Sequence, residues 1–398
     1  IKVKNHLELI LYLGLVFSLL ILSHVTLALF AGVLYLCIAI LLAFVNQKQA
    51  KRILTSTTIG LIIGGILSIH IWTTPFLMSK YTIYQQLLSP SVYSVSLKDL
   101  IFSPYRFGFL FQGPNGEIAN LIGYSQIIVV IVIIFFLTKN IVENKTKTYL
   151  LFWLGIFFTL TFLITPFADF IWKEIPLLRN VGNQRLLILV AFTTSIIAGY
   201  LPLLFPKKQI WIYLLILVTI LSTSLNWGHR RTIPKIDDNY LIKNLPQSTI
   251  NGEAHFYANS RWVNKDNMWF KDQPINNLII KKGEGKIKNI KRNSTNHTYI
   301  VSANSPLNLQ ENTLYFPGWS VKVNNKSTSI SYQTNALINF SVPPGLSYVE
   351  VKYSDILEYR ILKVVSVTGT FITLLALTIL RIKKGIRSDG FRFSGNQK

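Results

Sequence analysis

The chain has 398 residues, of which 50% are hydrophobic and only 14% are charged. A soluble domain carries roughly a quarter charged residues, so this composition, with a mean hydropathy of +0.39, favours a membrane protein embedded in the lipid bilayer. The formal net charge is +23, but the basic residues do not gather into the single patch that nucleic-acid binding requires, and we expect no nucleic-acid partner.

Eight apolar stretches are long enough, or nearly so, to cross a bilayer core of about 30 Å as helices. In chain order they are residues 7–22, 26–45, 53–72, 122–137, 149–165, 186–205, 210–225 and 361–380. We therefore expect a polytopic α-helical protein, with seven spans in residues 1–227 and a final transmembrane helix within residues 359–381. The chain begins with Ile1 rather than Met, and we read it as truncated at the N-terminus.

Basic residues predict the orientation, because cytoplasmic loops collect Lys and Arg. If the N-terminus is inside, then "NQKQAKR", "KNIVENKTK", "PKK" and the tail 382–398 are also inside, and each is basic. The outer connections are then "SHV", residues 73–121, residues 166–184 and the long region 228–358. We expect a cytoplasmic (inner) membrane protein with both termini inside.

The region 228–358 is predicted to be an extracytoplasmic domain that is β-rich from about residue 275. Hydrophobicity alternates with period two in "HTYIVSA", "GWSVKVN", "ALINFSV" and "YVEVKYS", with the turn-formers "NNK" and "PPG" between them. This pattern is typical of a β-sandwich or jelly-roll-like domain. Trp319 alternates with Val321 and Val323, which favours a core position over the alternative, stacking on a sugar ring.

Two outer loops are expected to roof a cavity at the outer membrane face. Residues 73–121 are too long for a hairpin and too aromatic for a flexible linker, and long ordered loops are usually functional. Residues 166–184 mix apolar and charged side chains, as a helix along the membrane interface does.

Several segments resemble a known family. They are "LILSHVTLAL", "LIFSPYRFGFLFQG", "IPLLRNVGNQRLLIL" and "YFPGWSVKVNN" followed by "FSVPPGLSYVEVKYSD". They look like the bacterial YfhO-like membrane proteins and the neighbouring 6-pyruvoyl-tetrahydropterin-synthase-related group, which are similar to GT-C glycosyltransferases. The resemblance implies transfer of a sugar from a polyprenyl-phosphate carrier to a cell-envelope glycan acceptor on the outer face.

Such a transfer needs a carboxylate to activate the acceptor hydroxyl and cations to stabilise the departing phosphate. Asp169 is the predicted catalytic carboxylate, with a plain surface carboxylate as the alternative. The planar guanidinium of Arg matches phosphate geometry, although anchoring to lipid headgroups is the alternative for cations at these positions. The candidates for binding the carrier phosphate or sugar are Arg106, Arg179, Arg185, His24 and His70.

The resemblance also implies a catalytic acid in the first outer loop, yet "SHV" contains none. Either that loop lies upstream of Ile1, or the protein is a non-catalytic membrane scaffold or transport partner whose β-domain binds glycan or protein. The histidines form no spaced ligand set, so no cofactor is identified, although the chemistry is compatible with a divalent metal ion. Nearly charge-free spans argue against a secondary transporter.

Overall fold

The computed structural model describes residues 6–82, 94–102, 120–175, 182–204, 210–227, 239, 260–262, 277–334 and 336–393. The chain forms two compact units. The first comprises Ile1–Gly64 and Ser89–Ile233, and the second comprises Gly65–Leu88 and Pro234–Lys398. The second unit therefore contains the C-terminal β-domain together with a short stretch of chain from before residue 89.

Helices account for most of the described chain before residue 228. In chain order the helices are α1 (His6–Ser23), α2 (Val25–Val45), α3 (Ala50–Leu67), α4 (Ile69–Trp72), α5 (Thr74–Ser79), α6 (Leu97–Ile101), α7 (Tyr124–Thr138), α8 (Asn144–Ile164), α9 (Asp169–Glu174), α10 (Leu187–Ala198), α11 (Leu201–Leu204), α12 (Ile210–Trp227) and α13 (Leu357–Phe393). Short 3₁₀ turns at Gln47–Gln49, Pro166–Ala168 and Asn183–Leu186 lead into α3, α9 and α10.

Six helical segments in the described part of the chain are long and apolar enough to cross a membrane. They are His6–Ser23, Val25–Val45, Gln47–Leu67, Asn144–Ile164, Asn183–Leu204 and Leu357–Lys383. Two shorter apolar helical stretches are Tyr124–Thr138 and Ile210–Leu221. Each overlaps one of the predicted apolar stretches, so the mostly helical, multi-pass character is supported, while the count of eight spans stays a prediction.

Glycines allow α1 and α3 to approach closely. Gly60 and Gly64 are four residues apart and therefore share one face of α3. This face meets Gly14 of α1, and a Cβ atom on Gly64 would lie 2.8 Å from the Gly14 carbonyl oxygen. Pairs of small residues at this spacing are typical of tightly packed membrane helices.

Helices α7, α8 and α10 pack around the main apolar core of the first unit. Ile133, Leu150 and Val190, one from each helix, are buried there. Large apolar side chains such as Phe135 and Phe158 remain exposed on the outer surface of the same helices. A bundle that is apolar both inside and outside is what a lipid environment requires.

The β-domain consists of two antiparallel sheets. Its strands are β1 (Leu278–Lys282), β2 (Gly285–Arg292), β3 (Asn296–Ala303), β4 (Leu307–Leu314), β5 (Trp319–Val323), β6 (Lys326–Thr328), β7 (Leu337–Val342) and β8 (Gly345–Tyr353). The smaller sheet has the order β1-β4-β7 and the larger sheet β2-β3-β8-β5-β6. One apolar core takes Val301 and Val351 from the larger sheet and Leu309 from the smaller sheet, so the sheets pack face to face as a sandwich.

The alternating pattern predicts β3, β5, β7 and β8, and the structure contains all four. The "NNK" segment forms the turn between β5 and β6, where Asn324 and Asn325 have φ values of 49° and 65°. Positive φ at both central residues is the signature of a type I′ hairpin turn, which Asn tolerates well. The "PPG" segment instead carries the chain from β7 in the smaller sheet to β8 in the larger one.

Candidate functional site

Four segments of the first unit meet at one end of the helical bundle, which we call the bundle end (residues 24–26, 95–100, 164–172 and 182–186). The backbone N–H of Val95 donates to the carbonyl of Ile164 over 2.9 Å. The side-chain amide of buried Asn183 donates to the same carbonyl over 3.2 Å. Residues 95–100 of the predicted outer connection 73–121 therefore lie together with described residues of the other two short outer connections at one end of this unit.

Arg185 is held at the bundle end by the start of α2. Its Nη1 donates to the Thr26 hydroxyl over 3.2 Å, and the side chain is otherwise exposed. His24 is the N-cap of α2, where its Nδ1 accepts from the Leu27 backbone N–H at 3.3 Å. Arg185 thus contacts Thr26, which follows His24 by two positions in the sequence.

Asp169 begins α9 at the same end of the bundle. Its atom Oδ1 is buried and has no hydrogen-bond partner among the described residues. Trp172, one turn later, is buried and donates its indole N–H to the Leu163 carbonyl over 2.7 Å, which fixes α9 against the end of α8. A buried carboxylate oxygen without a donor is uncommon, so Oδ1 of Asp169 keeps an unused acceptor position among the described residues.

The other predicted phosphate-binding residues do not join this group. Arg106 and Arg179 lie outside the described residues. His70 belongs to α4 in the second unit, where its Nδ1 and the Ser366 hydroxyl of α13 are 2.8 Å apart. This contact holds α4 against the last helix and gives His70 a structural partner.

In the β-domain, a β-bulge places Arg292 on the core side of β2. Asn289 lies opposite Tyr299, and the register then shifts so that Arg292 lies opposite His297. Because side chains alternate along a strand, an unshifted register would place Lys291 opposite His297. Bulges commonly re-aim a side chain in this way. The bulge therefore places the guanidinium of Arg292, rather than the ammonium group of Lys291, opposite His297.

The partner of Arg292 is Glu311 on β4 of the smaller sheet. Glu311 is fully buried, and its Oε1 accepts from Arg292 Nη1. His297 Nδ1 lies 3.1 Å and the Thr313 hydroxyl 3.2 Å from the same oxygen. Arg292 also donates to the Tyr299 hydroxyl at 3.0 Å and to Thr313 at 3.2 Å. We call these five residues the cross-sheet polar cluster, because they join the two sheets.

Burial and charge set the protonation of this cluster. Burial, aided by the charge of Arg292, lowers the pKa of His297 despite the opposing effect of Glu311. Burial raises the pKa of Tyr299, and the hydrogen bond and charge of Glu311 raise it further. Burial alone would lower the pKa of Arg292, but the hydrogen bond and charge of Glu311 outweigh it and raise that pKa. At neutral pH the cluster therefore holds a neutral imidazole, a neutral phenol and a paired guanidinium.

A cleft of about 460 Å³ borders the cross-sheet polar cluster. It is lined by Arg292, Asn293, Ser294, His297, Thr313 and Trp319. Trp319 shares the core-facing side of β5 with Val321 and Val323, as its alternation predicts, but it lies at the end of the strand and is only half-buried. Its ring centroid is 5.3 Å from that of His297 and 5.5 Å from that of Tyr353.

A second group of rings, the aromatic cluster, comprises Tyr81, Trp262, Tyr315 and Tyr332. Tyr315 and Tyr332 stack in parallel at 3.7 Å, and Trp262 meets Tyr332 edge-on at 4.8 Å. Arg261 ties this cluster to the chain after α5, since its backbone N–H donates to the Tyr81 carbonyl over 2.8 Å. No sequence pattern marks the cross-sheet polar cluster, and the aromatic richness of residues 73–121 is the one signal that points towards the aromatic cluster.

Neither a metal-binding group nor a similar protein identifies the function of the described residues. Among the residues that the structure describes, no three His, Cys, Asp or Glu side chains are grouped so that they could hold a metal ion. Comparison with protein families, curated proteins and solved structures found nothing that matches this chain.

Proposed function

We propose that the protein is a membrane glycosyltransferase of the GT-C type, which transfers a sugar from a polyprenyl-phosphate carrier to a cell-envelope glycan on the outer membrane face. The observation that carries the proposal is the arrangement at the bundle end. The exposed Arg185 guanidinium donates to Thr26, two residues after His24 in the sequence, and at the same end Asp169 has a buried carboxylate oxygen without a partner among the described residues.

The chemistry of the proposed reaction fits these groups. The leaving phosphate gains charge as the glycosidic bond breaks, and a guanidinium can donate two parallel hydrogen bonds to it. A carboxylate can accept the proton of the acceptor hydroxyl. Arg185 therefore takes the role of phosphate ligand and Asp169 that of general base, with His24 as a further hydrogen-bonding group.

The test is sugar transfer from radiolabelled polyprenyl-phosphate sugars in membranes that contain the full chain. Arg185→Ala should lower transfer at least tenfold, since hydrogen bonds to charged groups contribute about 1.5–3 kcal/mol. Arg185→Lys should restore part of it, because Lys keeps the charge but not the planar fork. Asp169→Asn should abolish transfer while leaving donor binding intact.

The matched control is Lys145→Ala. Lys145 is an exposed cation at the first turn of α8, whose other end reaches the bundle end at Ile164. A helix rises about 1.5 Å per residue, which separates the two ends by about 30 Å. The control should transfer sugar like wild type. Equal transfer by Arg185→Ala and wild type would remove Arg185 from the site.

A second candidate function is that of a non-catalytic membrane scaffold or transport partner whose β-domain binds glycan or protein. Its supporting observation is the connection between α1 and α2, where His24 alone separates Ser23 from Val25. This connection therefore contains no Asp or Glu that could act as the catalytic residue. Wild-type membranes that transfer no sugar from any polyprenyl-phosphate donor, but bind glycan, would favour this second function over the first.

A further inference from the structure

We propose that the cleft beside the cross-sheet polar cluster is a binding site for an uncharged saccharide, with Trp319 as the stacking surface and Ser294, Thr313 and Asn293 as hydrogen-bonding groups. This inference deepens the second candidate function, on which it rests, by naming the site and the ligand class. It does not depend on catalysis at the bundle end.

The size of the cleft suits a small sugar. Small-molecule sites usually enclose about 300–1,000 Å³, and the cleft measures about 460 Å³. This volume is on the scale of a mono- or disaccharide unit. Since Ser294 is exposed in the turn between β2 and β3, the cleft is reached from solvent.

The charge of the cleft argues against an anionic ligand. Arg292 is the cationic group of its lining, and the Glu311 carboxylate already neutralises it. The guanidinium also donates hydrogen bonds from Nη1 to the Tyr299 hydroxyl and from Nη2 to the Thr313 hydroxyl. His297 adds no charge at neutral pH, because burial lowers its pKa. The cleft would therefore attract a phosphate or carboxylate only weakly by charge. The hydroxyl groups of a neutral sugar do not depend on such attraction, because they bind through hydrogen bonds.

The remaining groups match a sugar. A half-exposed Trp ring offers the apolar face on which sugar C–H groups pack, and the His297 and Tyr353 rings hold it in place. Asn293 Oδ1 accepts from the backbone N–H groups of Thr295 and Asn296, which leaves its NH₂ group as a donor.

The experiment measures saccharide binding to the purified full-length protein in detergent by saturation-transfer NMR. The probes are glucose, galactose, N-acetylglucosamine and their disaccharides, with glucose 6-phosphate as the charged comparator. At least one neutral sugar should bind, and Trp319→Ala should weaken its binding at least tenfold while Trp319→Phe weakens it less. Binding of no neutral sugar at 10 mM, or tighter binding of glucose 6-phosphate than of glucose, overturns the proposal.

A second variant separates loss of the site from loss of the fold. Ser294→Trp fills the cleft from an exposed turn position and removes none of the hydrogen bonds of the cluster, so it should block binding while the β-domain stays resistant to protease. Trp262→Ala, in the aromatic cluster, should bind like wild type. If Trp262→Ala abolishes binding and Trp319→Ala does not, glycan binding by this protein stands and the cleft is the wrong site.

Discussion

Arg292 on the larger sheet and Glu311 on the smaller sheet form an ion pair whose carboxylate is fully buried. The pair joins the two sheets of the sandwich, and Arg292 also lines the cleft. A buried charge is tolerated only when it is paired and hydrogen-bonded, and here His297 and Thr313 complete the shell around one carboxylate oxygen.

Removing one member of this pair should destabilise the β-domain strongly. Glu311→Ala leaves Arg292 without its counter-charge in a partly buried place, which costs about 3–5 kcal/mol for buried pairs. Pulse proteolysis over a urea gradient, which reports the unfolding of the β-domain, measures this loss. Glu284→Ala, at an exposed position just before β2, is the control and should unfold like wild type.

The double variant Arg292→Met with Glu311→Leu should recover most of that stability. Replacing both charges by apolar side chains removes the desolvation cost together with the attraction, and such replacements are often neutral or stabilising by about 1–4 kcal/mol. The same urea gradient decides the outcome. A double variant as unstable as Glu311→Ala would show that the ion pair itself contributes net stability.

The β-domain should lose stability as the pH falls below about 6.5, the usual pKa of an unfolded-state histidine. The folded-state pKa of His297 lies below that value because of burial and the Arg292 charge. The unfolded chain therefore takes up the proton first, and stability declines from pH 6.5 towards the folded-state pKa. His297→Gln should flatten this part of the profile of urea midpoint against pH; an unchanged slope would assign the dependence to other groups.

Gly64→Ala should weaken the packing of α1 on α3. The new Cβ would lie 2.8 Å from the Gly14 carbonyl oxygen, and overpacking of this kind costs about 1–3 kcal/mol. Gly65→Ala is the matched control, because no atom lies within 4 Å of the position that its new Cβ would occupy. Thermal unfolding of the detergent-solubilised protein should show a lower midpoint for Gly64→Ala only.

The proposed orientation predicts the accessibility of single cysteines. In a Cys37→Ser background, Ser294→Cys should react with a membrane-impermeant maleimide in intact cells, because the positive-inside pattern predicts that the β-domain lies outside. Lys145→Cys, at the first turn of α8, should react only after permeabilisation. Labelling of both, or of neither, in intact cells contradicts the orientation.

The apolar stretches and alternating strands could be predicted because each is a local pattern. A run of about 20 apolar residues identifies a spanning helix without knowledge of its neighbours, and the described helices overlap all eight predicted stretches. Similarly, the period-two alternation located β3, β5, β7 and β8. In both cases the hydrophobic effect acts residue by residue, so the sequence carries the signal directly.

The polar elements could not be predicted in this way. Strand β4, "LNLQENTL", places Glu311 where alternation calls for an apolar side chain, and the segment therefore carries no strand signal. The burial of the Glu311 carboxylate depends on its ion pair with Arg292, which is nineteen residues earlier and lies in the other sheet. A bulge that no residue pattern marks decides that Arg292, and not Lys291, faces it.

The sequence by itself determined which segments are apolar enough to enter a bilayer and which alternate as strands. Apolar side chains are unfavourable in water whatever their neighbours in the fold, so this preference can be read from each segment alone. Only the tertiary structure decided that Thr26 orients Arg185, that Asp169 keeps a carboxylate oxygen without a described partner, and that a buried acid joins the two sheets. Hydrogen bonds and ion pairs are directional and short-range, so their existence depends on where distant parts of the chain meet.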